Sequence, residues 1–169
     1  MDYVNRFPGK EWKAMDGGSP SAFGQTGNPG SAAWASVVLR CVLAAIFIAH
    51  GLQKLADYGW SGGVANFGAW GIPWPELTYR LTVVVELAGG VLLLLGIWVR
   101  AISTALAVIM LVALFAVHIH YGFFLPNGIE FVLVLAAANA ALVLLGPGRW
   151  SLERRLPARL SIEQWLAGR

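Results

Sequence analysis

Four stretches of this chain are almost continuously apolar, at about Ala33 to Leu55, Pro75 to Val99, Ala101 to Phe124 and Gly128 to Leu145, and polar residues gather at their ends. A helix needs roughly 20 mainly apolar residues to cross a ~30 Å hydrocarbon layer. Three stretches have that length; the fourth is shorter, but Gly146-Pro147-Gly148 gives it a clear stop. None alternates as a strand would, and four is too few for a closed barrel. The pattern predicts an all-α membrane protein, a four-transmembrane-helix bundle over residues 33–148. The longest connection, Asp57 to Pro75, holds Tyr58, Trp60, Phe67, Trp70 and Trp74 among glycines. Such rings suit the headgroup level, so Gly62 to Trp70 reads as a short interfacial helix, either an aromatic belt or a lid over a cavity.

The flanks differ. Residues 1–32 are rich in glycine and have no apolar run, so they read as a flexible or partner-ordered tail and not as a signal peptide. Residues 149–169 mix Leu152, Leu156, Leu160, Ile162, Trp165 and Leu166 with arginines. That mixture predicts an interfacial amphipathic helix, broken or restarted near Pro157.

Composition removes the other classes. Of 169 residues, 57% are hydrophobic and 12% charged, half the charge of a soluble domain, which carries about 25%. Disorder is excluded by the apolar content, and a disulfide framework by the single cysteine, Cys41. Cys41 sits in an apolar helix, where a thiol is inert, and reads as packing. The net charge of +3 is unevenly placed. Arg6, Lys10 and Lys13 precede the first span, Arg100 joins the second to the third, and five arginines follow the fourth. The opposite side has only Lys54 and Arg80. The positive-inside rule therefore puts both termini in the cytoplasm. The basic residues read as topology with anionic-lipid contact, and no nucleic-acid partner is expected. The motifs of nucleotide-binding and serine-hydrolase sites are missing.

Ionisable groups inside a membrane cost several kcal/mol unless they are paired, wet or functional. Here they collect at one depth: His50, Gln53 and Lys54 end the first span, Tyr79, Arg80 and Glu86 begin the second, His118, His120 and Tyr121 end the third, and Glu130 opens the fourth. At 100° per residue, Arg40, Phe47, His50 and Lys54 fall within about 80° on one face, while Gln53 points elsewhere. Arg40, deep in the other half, can snorkel to the cytoplasmic interface. Glu86 shares its face with Gly89 and Gly90, where small residues let a neighbouring helix close in. His118 and His120 lie about 200° apart, so only one can face the interior, and His118 is the deeper.

Four uses of this layer remain open. Lys54 or Arg80 could simply pair with Glu86 or Glu130. A quinone or similar small molecule could bind, since its head needs a donor at each carbonyl and a proton route, both within reach of His, Lys, Tyr and Glu. His50 and His118 with a carboxylate could hold a metal, but no Glu-x-x-His pair occurs and none is expected. The same two histidines could ligate haem, with nothing else in support.

The residues also carry a family resemblance. Arg40 followed by His50-Gly51-Leu52-Gln53-Lys54-Leu55 resembles the Arg…His-Gly-x-x-Lys signature of the DoxX family. Phe67-Gly68-x-x-Gly71-Ile72-Pro73, Glu86-Leu87-x-Gly89-Gly90…Leu95-Gly96, Asn127-Gly-x-Glu130 and Gly146-Pro147-Gly148-Arg149-x-Ser151-Leu152 are similar to later elements of that family, in order over about residues 36–153. The resemblance implies a four-helix protein of a bacterial inner membrane, associated with quinone-linked oxidoreductases or with complexes that handle thiol or oxidative stress. It singles out Arg40, His50, Gly51, Lys54, Glu86, Gly89, Gly90 and Glu130.

The expectation is thus a membrane subunit of a redox system. Glu86, His118 and His50 would be catalytic, with Glu86 and His118 relaying protons and Lys54 and Arg80 balancing charge, and Lys54, Arg80, Tyr79 and Glu130 would bind a ligand such as a quinone. The alternative is a non-catalytic assembly subunit of a larger complex or homo-oligomer, docking through its N-terminal tail and helix faces such as Ala136 to Ala141. A transporter is disfavoured, because no span is broken at mid-membrane and no repeat is evident.

Overall fold

The computed structural model describes residues 29–155, and among these every regular element is helical. The elements are α1 (Pro29–Gln53), α2 (Gly59–Ala69), α3 (Pro75–Leu95), α4 (Val99–Ala113) and α5 (Glu130–Leu145), with a π-helical turn at Lys54–Tyr58 and another at Leu114–His118. α1 packs most extensively on α3 and α4 on α5; the two pairs close through α3 against α4 and α1 against α5. α2, the short helix expected between the first two spans, lies against α3 at one end of the bundle.

Small residues set the closest approaches. A Cβ on Gly90 would stand 2.7 Å from Ile48 Cγ1 and 3.2 Å from the Ala44 carbonyl, so α3 lies directly on α1 there. Gly89, one position away, faces Ile102 of α4. The core between the pairs is apolar, with Leu43, Phe47, Leu93, Leu106 and Leu142 fully enclosed. The outer surface is apolar too: Leu144 and Val134 are among many exposed aliphatic side chains. A surface of that kind is stable only in lipid. The protein is an integral membrane protein.

Three helical stretches are long and apolar enough to cross the bilayer: Gly30–Ala69, Pro75–Leu95 and Val99–Tyr121. The expected fourth differs. α5 has 16 residues, about 24 Å of rise, short of the full hydrocarbon thickness. The residues before it are spent on a loop, closed by backbone bonds from Gly128 N to Phe124 O, Ile129 N to Gly122 O and Glu130 N to Phe123 O. α1 begins at Pro29, ahead of the expected Ala33. The rest of the proposed N-terminal tail, and the C-terminal amphipathic segment from Leu156, lie outside the described residues.

The end of the bundle opposite α2 is tied by polar bonds to backbone carbonyls. α3 stops at Gly96, whose left-handed φ of 70° lets its N–H reach back to the last turn. Ser151 Oγ donates to Gly96 O at 2.6 Å, and the Glu153 N–H to the same oxygen at 3.2 Å. Ser36 Oγ donates to Gly146 O at 2.6 Å, and Arg40 Nη1 to Pro147 O. Arg40 is therefore not a snorkelling residue: at 2% exposure it is enclosed by the chain that follows α5. Cys41 also departs from expectation, since it is exposed on the outside of α1 and does not pack in the core. Residues 152–155 form a single 3-10 turn held in this clasp.

The tightest of these contacts yields a test. Gly90→Val should overpack the α1–α3 contact and cost about 1–3 kcal/mol, read as a lowered unfolding midpoint in detergent. Gly62→Ala, where a Cβ meets nothing within 4 Å, should leave the midpoint nearly unchanged.

A cavity at the α2 end as candidate functional site

The site begins with the way α1 ends. After Gln53 the helix widens into the π turn at Lys54–Tyr58, then breaks at Gly59, whose φ of 62° reverses the chain into α2. Both ends of that turn are held by one side chain from α3. Tyr79 Oη lies 2.7 Å from Lys54 O and 2.9 Å from Gly59 O, and its single proton is shared between them. The Tyr79 ring is buried edge-on to Phe67 at 5.2 Å and Trp60 at 5.8 Å. It slots under Gly63, where a Cβ would come within 1.9 Å of Cζ. α4 ends in the same manner, with His118 closing its π turn. Such widened turns recur at functional sites because they shift the phase of the side chains that follow.

These elements surround a cavity of about 700 Å³. Most of its wall is aliphatic or aromatic, including Phe67 of α2 and Trp70 just after it. Its ionisable and amide groups are His50, Gln53 and Lys54 from the end of α1, Glu86 from α3 and His118 from the end of α4, joined by the hydroxyls of Tyr58, Thr78 and Thr82. Leu81 of α3 and Val108 and Val112 of α4 line the cavity and are about half exposed, so the wall between these two helices is not closed. The cavity therefore opens sideways between α3 and α4, toward lipid.

The central contact is an ion pair. Lys54 Nζ donates to both Glu86 oxygens, at 2.9 and 2.7 Å, with side-chain exposures of 17% and 2%. A carboxylate so enclosed is tolerable only when a cation and hydrogen bonds replace its water. The histidines are each fixed by a backbone carbonyl: His50 Nδ1 lies 2.9 Å from Ile46 O and His118 Nδ1 lies 2.7 Å from Asn127 O. His50 is further oriented by stacking on Phe131, with centroids 5.9 Å apart.

Of the residues expected from sequence, Glu86, His50, His118 and Lys54 meet at this cavity, and Tyr79, Arg80 and Glu130 do not line it. Tyr79 acts on the backbone beneath Lys54. Arg80 faces away, paired with Glu76 one turn earlier and lying 5.3 Å from the Trp60 ring centroid. It is too far round α3 to balance charge in the cavity. Glu130 accepts the Leu125 N–H at 2.7 Å and fastens the loop before α5. Gln53 corrects the helical-phase expectation, since it does line the cavity. It sits about 60° from His50 on the helix, and the cavity is wide enough to reach both. Trp70 and Tyr58 also line it; their place in the aromatic connection was the only sequence signal. His120 is not part of the wall. Among the described residues no three of His, Cys, Asp and Glu come together as a metal-binding group.

Comparison with known proteins finds relatives named as membrane proteins. The sequence profile of the family described as DoxX matches residues 35–119. A protein of Mycobacterium tuberculosis named as uncharacterized membrane protein Rv3486 is 33% identical over 134 residues, 73% of this chain and 82% of that protein. The inner membrane protein YphA of Escherichia coli is 31% identical, covering 70% of this chain and 88% of its own. A Bacillus subtilis protein named "Putative oxidoreductase CatD" is 28% identical over 63% of this chain and 77% of its own. No solved structure matches the chain.

The ion pair gives the second test. Lys54→Met should strand the Glu86 charge and cost on the order of 3 kcal/mol, whereas the double variant Lys54→Met/Glu86→Leu should recover most of that loss. Denaturation of the single and double variants in detergent measures both.

Proposed function

The chain belongs to the DoxX family, and from that premise we propose a four-span subunit of a redox system in the bacterial inner membrane, both termini cytoplasmic. In this reading its cavity takes the head of a quinone or a similar small redox molecule near the extracytoplasmic surface. The observation that carries the reading is that three helices bring His50, Lys54, Glu86 and His118 onto the wall of one mostly apolar cavity.

Other features support it. The name of the Bacillus subtilis relative speaks of an oxidoreductase, and that of the Escherichia coli relative of an inner membrane. Arg100 and Arg149 at the clasp end, against Lys54 and Arg80 at the cavity end, favour a cytoplasmic clasp. α5 spans if the bilayer thins slightly around it, at a modest cost per ångström.

The residues present fit such a ligand. A volume of about 700 Å³ lies within the range of small-molecule sites, roughly 300–1,000 Å³. The sideways mouth suits a head that arrives in lipid with an apolar tail trailing between α3 and α4. A bound quinone would supply the two-electron, two-proton couple that the side chains lack. The protein's part is to hold and orient: Lys54 balances the Glu86 charge, His50 and His118 offer sites for a proton, and Phe67 and Trp70 keep water from the head. Glu86 and His118 then form the route along which a proton leaves the cavity.

Purified protein tests this directly. Organic extraction should release a quinone, and a short-tailed quinone added at about 100 times its Kd should raise unfolding stability by about 2.7 kcal/mol. Glu86→Gln and His118→Ala should weaken that protection severalfold. Absence of both bound quinone and protection would overturn the reading in favour of a non-catalytic assembly subunit.

A further inference from the structure

The hydrogen bonds that hold the two cavity histidines also decide what they can offer a ligand. A backbone carbonyl can only accept, so a ring nitrogen within hydrogen-bond distance of one must carry the proton. His50 Nδ1 meets Ile46 O at 2.9 Å and His118 Nδ1 meets Asn127 O at 2.7 Å. Both neutral imidazoles are therefore set in the Nδ1–H tautomer, and in each the other nitrogen, Nε2, is an acceptor. Among the described residues neither Nε2 has a protein partner. Stacking on Phe131 holds the plane of the His50 ring, and within that plane a flip would forfeit the Ile46 carbonyl bond.

The remaining polar groups tilt the same way. Lys54 spends two of its three N–H donors on the Glu86 oxygens. Those two oxygens accept one bond each and keep further lone pairs. Thr78, also on the wall, turns its hydroxyl to the carbonyls of its own first turn. Gln53 and the Tyr58 and Thr82 hydroxyls, all on the wall, can serve either way, and the Trp70 indole N–H can only donate. Groups that can only accept, the two Nε2 atoms and the two Glu86 oxygens, thus outnumber those that can only donate, the last Lys54 N–H and the Trp70 Nε1–H.

Resting on the redox-ligand reading above, we infer that the cavity recognises the reduced, hydroxyl-bearing form of its ligand, a hydroquinone donating to His50 Nε2 or His118 Nε2, in preference to the oxidised carbonyl form. A quinone head is all acceptors, so it can use the Lys54, Gln53, Trp70, Tyr58 and Thr82 donors but gains nothing from either Nε2. Its hydroquinone brings two O–H donors to the two Nε2 acceptors, and its oxygens still accept from the groups that donate. A preference for the reduced form also raises the midpoint potential of the bound couple, by linkage.

The test uses the full chain in detergent, without oxygen, and three probes of one shape: a short-tailed benzoquinone, its hydroquinone, and the dimethyl ether of that hydroquinone. Quenching of tryptophan fluorescence reads each Kd. The hydroquinone should bind at least tenfold more tightly than the quinone, and the ether, which has lost both donors, should bind no better than the quinone. In His50→Phe and His118→Phe the hydroquinone should lose more affinity than the quinone, so that the ratio falls toward one. Should either variant fail to fold, the wild-type ratios alone decide. Equal binding of the two redox forms, tighter binding of the quinone, or an ether that binds like the hydroquinone would overturn this inference and leave a quinone site standing. Failure of all three probes to bind would overturn the quinone reading itself, and this inference with it.

Discussion

A carboxylate cannot remain alone in the apolar interior of a membrane bundle, and the pairing of Glu86 with Lys54 is the constraint on which this end of the molecule depends. Glu86 is fixed on α3 by the glycine face that packs against α1 and α4. Lys54 must therefore come to it, at a height where α1 is already ending. The π turn beginning at Lys54 allows this, and Tyr79 Oη holds it through the carbonyls of Lys54 at its start and Gly59 just past its end. Tyr79 in turn needs Gly63, since any larger residue on α2 would occupy its ring. One ion pair thus explains a widened turn, a buried tyrosine and a glycine in a helix, three features with no evident common cause when viewed separately.

The two ends of the bundle solve the polar problem in opposite ways. At the clasp, Ser36, Arg40 and Ser151 give their donors to carbonyls of Gly146, Pro147 and Gly96, and the chain closes on itself. At the α2 end the side chains meet their own requirements with one polar atom each and present another to a cavity of about 700 Å³. Closed hydrogen bonding rigidifies, whereas a half-used imidazole beside an ion pair is a receptive surface. The clasp fastens the helices, and the freedom to bind is concentrated at the other end.

Much of the cavity was legible in the sequence because the membrane taxes polar residues at every position, so those that persist mark a place. His50, Lys54, Glu86 and His118 were found by depth and helical phase alone, and the structure gathers them onto one wall. Arg80 and Glu130 carried the same signal but satisfy local needs, a one-turn ion pair with Glu76 and a loop amide at Leu125. Depth along a helix does not separate a residue facing a cavity from one that fastens its own backbone. Gln53 was set aside on phase and still lines the wall, because a cavity of this width spans more than one face of a helix. Arg40 was read from depth alone, which is blind to a returning chain that can cover a cation with carbonyls.

The sequence by itself determined the helical class, the membrane environment and the layer in which chemistry-bearing residues lie. Hydrophobic length and the cost of buried charge are local quantities, written position by position along the chain. The tertiary structure alone decided that α5 stops at 16 residues, that two π turns aim Lys54 and His118 inward, and that the walls part between α3 and α4. It also decided which nitrogen of each histidine stays free. Those outcomes depend on which carbonyl, ring or glycine of another segment comes within a few ångströms, and distance between segments is fixed only when the chain has folded.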